Sequence, residues 1–302
     1  MKVIVNCLVL VLFTSCFGLF DKKDTSKVKL NPSGSNQAAT ASDESSNTNE
    51  NTEQNNEDGI AQKTVLVKVD GSFTSNLDND FVKQGALANA ITSLSQYNPR
   101  LIVIAQFLGA SDEQAALVSA MKNSNSLVIL SGFAIPGQQN YELPPVHIAE
   151  NDGFVTEAQR IIIPSRELGE ASGGVGIYDL TGDTSNYNDM PLVIAKNGKL
   201  FPSVALKVIA TLTGETIVYY KEYVTIGEKP FKIQSNGSDG GGSFNSNFKT
   251  VSYSDLSSGN ASVDLTDKII VLDANQKFNY RGQQRTVGEI LINKVNELAN
   301  KL

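Results

Sequence analysis

Few side chains in this 302-residue chain have the types and spacing that chemistry demands. Histidine occurs once, as His147 in the proline-flanked LPPVHIA, with no nucleophile motif beside it. A Ser-His-Asp arrangement therefore has no footing, and His147 reads as a structural or surface histidine. With one histidine and two cysteines, Cys7 and Cys16, a zinc site lacks ligands, and no metal or other cofactor is expected. The glycine run in SNGSDGGGSFNSN, residues 235–247, has neither a following GK[ST] nor the strand-to-helix setting of a phosphate cradle, so it reads as a flexible loop. What remains is a small polar set: Asp70 and Ser72 in VDGS, and Gln106 in RLIVIAQF. A carboxylate, a hydroxyl and a carboxamide can hold a ligand by hydrogen bonds. They do not make a perturbed acid/base pair, so no catalytic residue is assigned and no enzyme is expected. Asp70 has the alternative role of capping a neighbouring helix or turn.

Cys16 offers a different chemistry. MKVIVNCLVLVLFTSC has a positive start at Lys2 and an apolar run from Val3 to Phe13. That run is shorter than the roughly 20 apolar residues a bilayer-spanning helix needs, so the segment reads as an export signal. Small Thr14 and Ser15 precede Cys16, which resembles a bacterial lipobox; Phe13, where leucine is usual, resembles the relaxed lipoboxes of spirochaetes. The resemblance implies a diacylglyceryl group on the Cys16 thiol and cleavage before it. The alternative is an ordinary signal peptide with an incidental cysteine. Cleavage would remove Cys7, leaving no disulfide to form. Each buried CH₂ of such a lipid contributes about 0.8 kcal/mol, and two or three chains anchor durably.

The elements that must position the polar set begin further on. Residues 16–62 are expected to be a lipidated cysteine and a disordered tether, since SGSNQAATASDESSNTNENTEQNNEDG has hardly an apolar side chain to offset its ordering entropy. About 40 such residues span roughly 35 Å. Residues 1–15 are the signal, and 63–302 the folded domain. There TVLVKVD, RLIVIAQF, SLVILS and DKIIVLDA read as buried strands. The first helix presents Phe81, Leu87, Ile91 and Leu94. The next carries Leu117, Val118 and Met121 inward, with Ser111 and Gln114 at capping-box spacing. EAQRIIIPSRELG is ambiguous, with pre-proline Ile163 suiting a helix end. GGVGIYDL reads as a strand, and MPLVIAKNGKLFP as a hairpin turning at Asn197-Gly198. A helix follows from Ser203 to Gly214, then strand-like TIVYY and YVTIG. FKTVSYSDL is polar and β-like. The closing helix has a stripe of Val287, Ile290, Leu291, Val295 and Leu298, and an i,i+4 pair of Glu297 and Lys301. The pattern is α/β, with a mainly parallel or mixed central β-sheet flanked by helices. Asp70 and Ser72 then lie at the carboxyl end of one strand and Gln106 at that of another, where open α/β sheets bind ligands.

The order of these pieces resembles the CHASE2 extracellular sensor domain over residues 64–302. It is carried by Val69-Asp70-Gly71-Ser72, by Pro191-Leu192 with Phe201-Pro202-Ser203-Val204-Ala205-Leu206, by the strand from Leu265 to Asp273 and by the helix from Val287 to Asn296. Gln106 stands where many relatives have aspartate, and their WPWPR stretch is missing. The resemblance implies a non-catalytic domain binding a small ligand or an envelope protein partner. Relatives continue into membrane helices and an output domain, whereas this chain stops at Leu302, so it is expected to be cut loose from an output. With the Cys16 lipid as membrane anchor, the expected location is the cell envelope, at the outer membrane, the cell surface or the periplasmic face. The alternative is a surface-exposed adhesin or host-interaction lipoprotein using the domain as a scaffold. A net charge of -7 repels phosphate backbones, so no nucleic-acid partner is expected.

Overall fold

Runs of β-branched and aliphatic residues build the centre, because only strands covered on both faces keep such runs out of water. The computed structural model describes residues 63–69, 83–109, 111–135, 149–179, 189–240, 243–245, 248–260, 263–274 and 277–302. The expected signal, Cys16, the tether, Asp70, Ser72 and His147 lie outside the described residues. All described residues belong to one compact unit.

Along the chain, β1 (Thr64–Lys68), α1 (Gln84–Ser95), β2 (Leu101–Ile104), α2 (Gln114–Asn123) and β3 (Leu127–Ile135) come first. The short strands β4 (Ala149–Glu150) and β5 (Arg160–Ile162), then α3 (Arg166–Ala171) and β6 (Gly174–Asp179), follow. Next are β7 (Val193–Lys196), β8 (Lys199–Pro202), α4 (Val204–Thr213), β9 (Ile217–Tyr219), β10 (Tyr223–Ile226) and β11 (Lys229–Lys232). The last are β12 (Lys249–Ser252), α5 (Tyr253–Ser257), β13 (Ile269–Asp273), β14 (Lys277–Tyr280), β15 (Gln283–Thr286) and α6 (Val287–Ala299).

A seven-stranded sheet runs β12-β1-β13-β2-β3, with β6 parallel to β3 and β5 antiparallel at the far end of β3. The other pairings in this sheet are parallel. Alternate residues of each strand feed two cores. Leu66, Val103, Ile129 and Val271 pack with α4 and α6 through Val208, Ile209, Leu291 and Val295. Val67, Ile104, Leu130 and Leu272 pack on the other face with Leu87, Ile91 and Leu117 of α1 and α2. The fold is therefore three-layered, a mainly parallel sheet between helices, as the strand and helix patterns implied. Three small antiparallel sheets, β4-β8-β7, β9-β10-β11 and β14-β15, complete it.

The hairpin turn is at Asn197 and Gly198, both at positive φ, 52° and 72°, as a two-residue turn of this hand requires. Ser203 caps α4, its Oγ accepting the Leu206 N–H at 3.2 Å, and Gly214 ends the helix in the left-handed region. Two readings are corrected. Ile163 does not end a helix: residues 160–162 form β5, because the apolar run pairs with Phe133 to Ile135, and the helix starts after Pro164 under a Ser165 cap. Ser111 and Gln114 form no capping box. Ser111 Oγ accepts from Glu113 N–H inside a turn, while the Gln114 side chain donates to Glu167 on α3, a partner remote in sequence. FKTVSYSDL divides into β12 and α5.

A capping box does open α6. Thr286 Oγ1 accepts Glu289 N–H at 3.2 Å, and Glu289 Oε2 accepts Thr286 N–H at 3.0 Å. Because Thr286 is buried, Thr286→Ala also strands helix amides away from water. A loss of about 1 kcal/mol is expected from the urea midpoint of the variant.

Candidate functional site

Parallel alignment brings the carboxyl ends of β1, β13, β2, β3 and β6 to one edge. The Val69 N–H donates to Asp273 O and the Ala105 N–H to Leu272 O, so the chain segments leading to Asp70 and Gln106 flank β13. Gln106 is 4% exposed, and neither its Oε1 nor its Nε2 has a hydrogen-bond partner among the described residues. Burying such an amide without partners costs about 1–3 kcal/mol. Position alone distinguished Gln106 in the sequence, and the structure adds this unmet polarity. It does not place Gln106 in the wall of the cavity described next.

That cavity, about 20 Å³ within about 300 Å³ of empty space that includes open solvent, lies between β6 and the start of α6. Tyr178, Asp179, Asp189, Met190, Tyr280, Val287 and Ile290 line it, and almost all of the surface they turn toward it is apolar. The tighter volume suits one water-sized group. Both tyrosines are 2% exposed. Three wall atoms are buried with no hydrogen-bond partner among the described residues: Tyr178 Oη, Tyr280 Oη and Asp189 Oδ2. Ser131 Oγ gives its proton to Ile104 O at 2.6 Å; it is near enough to Tyr178 to ease the phenol's ionisation but not in bonding geometry. Burial, then the charge of Asp273, hold the Tyr178 hydroxyl well above the ordinary phenol range. Tyr280 is pushed up to about 12, by burial first, with Arg281 opposing. Both phenols are therefore neutral hydrogen-bonding groups. Stacking fixes Tyr178 on Phe133, ring centroids 5.2 Å apart, and Arg281 lies over the Tyr280 ring at 5.1 Å.

Behind the cavity stands a buried ion cluster. The Lys294 side chain is 0% exposed and meets Asp189 Oδ1 at 3.0 Å, Glu297 Oε2 at 3.4 Å and Asp239 Oδ1. Lys301 reaches Asp239 Oδ2 at 2.8 Å and Glu297 Oε1 at 2.9 Å, so the i,i+4 pair exists as part of a network. Asp239 belongs to the glycine-rich segment, whose described residues form no helix or strand, in keeping with a loop, and its 4% exposed carboxylate anchors that segment to Lys294. Burial raises the Asp189 pKa more than Lys294 lowers it. For Asp239 burial also pushes upward, but Lys294 and Lys301 together outweigh it and the net shift is down. Burial would lower Lys294, yet Asp189, Asp239 and Glu297 raise it.

Asp189 is held asymmetrically. Its Oδ1 accepts from Met190 N–H at 2.9 Å and from Lys294, with Arg281 at 3.9 Å, while Oδ2 is left over. Sequence reading passed over Tyr178, Asp189, Tyr280 and Lys294. One signal was present: β6 ends in Asp179 and β13 in Asp273, a carboxylate at each of two strand ends on one edge. Lys294, three residues after Leu291 and four before Leu298, was also visible as a cation inside an apolar stripe.

Among the described residues no group of three or more His, Cys, Asp or Glu is arranged to hold a metal ion. No helix among them is long and apolar enough to cross a membrane. Compared with known families, residues 40–276 match the family model described as the CHASE2 domain, a range that starts inside the expected tether and stops before α6. No curated protein and no solved structure matches the chain.

Proposed function

The chain belongs to the CHASE2 domain family, whose members are extracellular, sensory and non-catalytic, and from that premise we propose that it is a ligand-binding sensor domain without enzymatic activity, held at the cell envelope by lipid on Cys16. The observation that carries the binding role is the cavity beside the strand ends, whose wall leaves Tyr178 Oη, Tyr280 Oη and Asp189 Oδ2 buried and unbonded among the described residues. A site of that kind costs stability when empty and recovers it when a polar solute enters. Neutral phenols and an ion-paired carboxylate are groups that can hold a polar solute by hydrogen bonds.

The export signal and Cys16 supply the anchor in this reading. Binding is tested by a thermal-shift screen of the full chain against a metabolite panel, repeated with Tyr178→Phe. At least one metabolite should raise the Tm of the parent protein and shift the variant less; a flat response across the panel removes the ligand. Anchoring is tested by metabolic labelling with a clickable fatty acid. The parent protein should carry the label, and Cys16→Ser should lose it and leave the envelope fraction. An unlabelled parent ends the lipid assignment.

A further inference from the structure

We infer that the outer face of the β9-β10-β11 sheet is a carbohydrate-binding ledge, separate from the cavity, on which a neutral sugar ring stacks against Tyr220 and Tyr223. Among the described residues five large apolar side chains are exposed, and three of them, Val218, Tyr220 and Tyr223, belong to this sheet and its first turn. Register brings them together. Tyr220 N–H donates to Tyr223 O across the Lys221-Glu222 turn, Val218 pairs with Thr225, and Tyr223 pairs with Lys232 on β11. Ile217, Val224, Ile226 and Phe231 enter the core from the opposite face, so the alternation of the strands turns the tyrosines outward. The two rings are stacked, with centroids 4.4 Å apart and planes 16° apart, so each braces the other. Each gives one face to its neighbour, and at 46% and 40% exposure each keeps much of the remainder open to solvent. Such tyrosines offer a large, rigid, amphipathic contact at low entropic cost.

Size and charge select the occupant. A standard protein interface takes roughly 20–30 residues a side, and three exposed side chains fall far short of it. Strand addition is blunted at both edges, because β9 has only three residues and β11 carries Pro230. A lipid surface would have to take Glu222 along with the tyrosines, since it lies in the turn between them. That carboxylate is repelled by anionic headgroups and is costly to bury. A sugar ring fits on each count. Its C–H face matches an aromatic ring in size and is drawn to the electron-rich ring face. Its hydroxyls both donate and accept, and around the ledge exposed Lys221, Lys229 and Lys232 offer donors while Glu222 and Glu228 offer acceptors. Those signs nearly cancel, which favours a neutral ligand over a charged one.

The test titrates the full chain with cellohexaose, maltohexaose and chitohexaose, followed by calorimetry and by tyrosine emission, which no tryptophan masks in this chain. At least one of the three should bind. Tyr220→Ala and Tyr223→Ala should each weaken that sugar by roughly tenfold or more. Tyr220→Phe keeps the ring and should weaken it less, and Tyr97→Ala, at an exposed tyrosine on another part of the surface, should leave it unchanged. If the alanine variants fail to fold, Tyr220→Leu with Tyr223→Leu keeps the bulk, removes both rings and carries the same comparison. No binding by any of the three sugars overturns the inference, and so does binding that survives loss of the rings. Co-sedimentation with phosphatidylcholine/phosphatidylglycerol vesicles that the ring-less variants lose, with no sugar bound, makes the ledge a membrane contact and overturns the carbohydrate assignment.

Discussion

Lys294→Met is expected to destabilise the domain by about 3–5 kcal/mol, the usual cost of removing one partner from a buried ion cluster. Methionine fills nearly the same volume, so the loss is electrostatic rather than a cavity effect. Lys294 contacts Asp189, Asp239 and Glu297, whose side chains are 11%, 4% and 12% exposed. Without it, Asp189 keeps the Met190 N–H at 2.9 Å and Arg281 at 3.9 Å, and Lys301 is left to serve Asp239 and Glu297. The pH dependence separates this from simple misfolding. In the parent, Asp239 has a depressed pKa, so its contribution is present above 3.8 and fades as the pH falls through its folded value. Lys294 has a raised pKa, so its contribution is present below 10.5 and fades as the pH climbs through its folded value. Asp189 has the opposite sign to Asp239: its raised pKa makes ionisation a cost that appears as the pH rises from 3.8 through the folded value. In the variant Asp189 and Asp239 lose Lys294, and protonation relieves them. The gap between variant and parent should therefore be widest near neutral pH and narrow toward about pH 4. Urea unfolding at both pH values measures it; a gap under about 1 kcal/mol, or one that does not narrow, would show the cluster to be indifferent to its central charge.

Gly176→Ala should be as damaging for a different reason. A Cβ at Gly176 would sit 2.4 Å from Val204 Cα and 2.7 Å from Val204 N, both backbone atoms at the start of α4. The helix start is not free to withdraw. Ser203, 0% exposed, bridges to Ile177 and caps the helix through the Leu206 N–H. Overpacking usually costs about 1–3 kcal/mol, and a clash with fixed backbone belongs at or above the top of that range. Tyr178 is two residues further along β6, so displacement of the strand should weaken ligand binding together with stability. Gly169→Ala is the control: its Cβ would meet nothing closer than Val175 Cγ2 at 3.9 Å, within α3. That change should be neutral or stabilising by up to about 1 kcal/mol, from helix propensity alone. Equal effects of the two substitutions on the unfolding midpoint would refute the close-approach argument.

The two substitutions also mark where sequence reading stops. The buried strands, the Asn197-Gly198 turn, the Ser203 and Gly214 limits of α4 and the stripe of α6 were legible because each depends on neighbours a few residues away. The family resemblance was legible for a related reason: the order of short motifs survives in one dimension. Ile161 and Ile162 are ambiguous in the sequence because an apolar triplet has no period of its own; pairing with Phe133 and Ala134 on β3 makes it a strand. Gln114 was misassigned because Glu167, 53 residues away, claimed its side chain.

By itself, then, the order of residues determined the α/β class, the layered alternation of strand and helix, and the expectation of an export signal with an acylated cysteine, since these follow from local propensity and periodicity. Only the tertiary structure decided the site. Tyr178, Asp189, Tyr280 and Lys294 come from segments up to 116 residues apart, counted from Tyr178 to Lys294. Their chemistry exists only once burial has removed water from them, and burial is a property of the packed whole that no stretch of sequence carries.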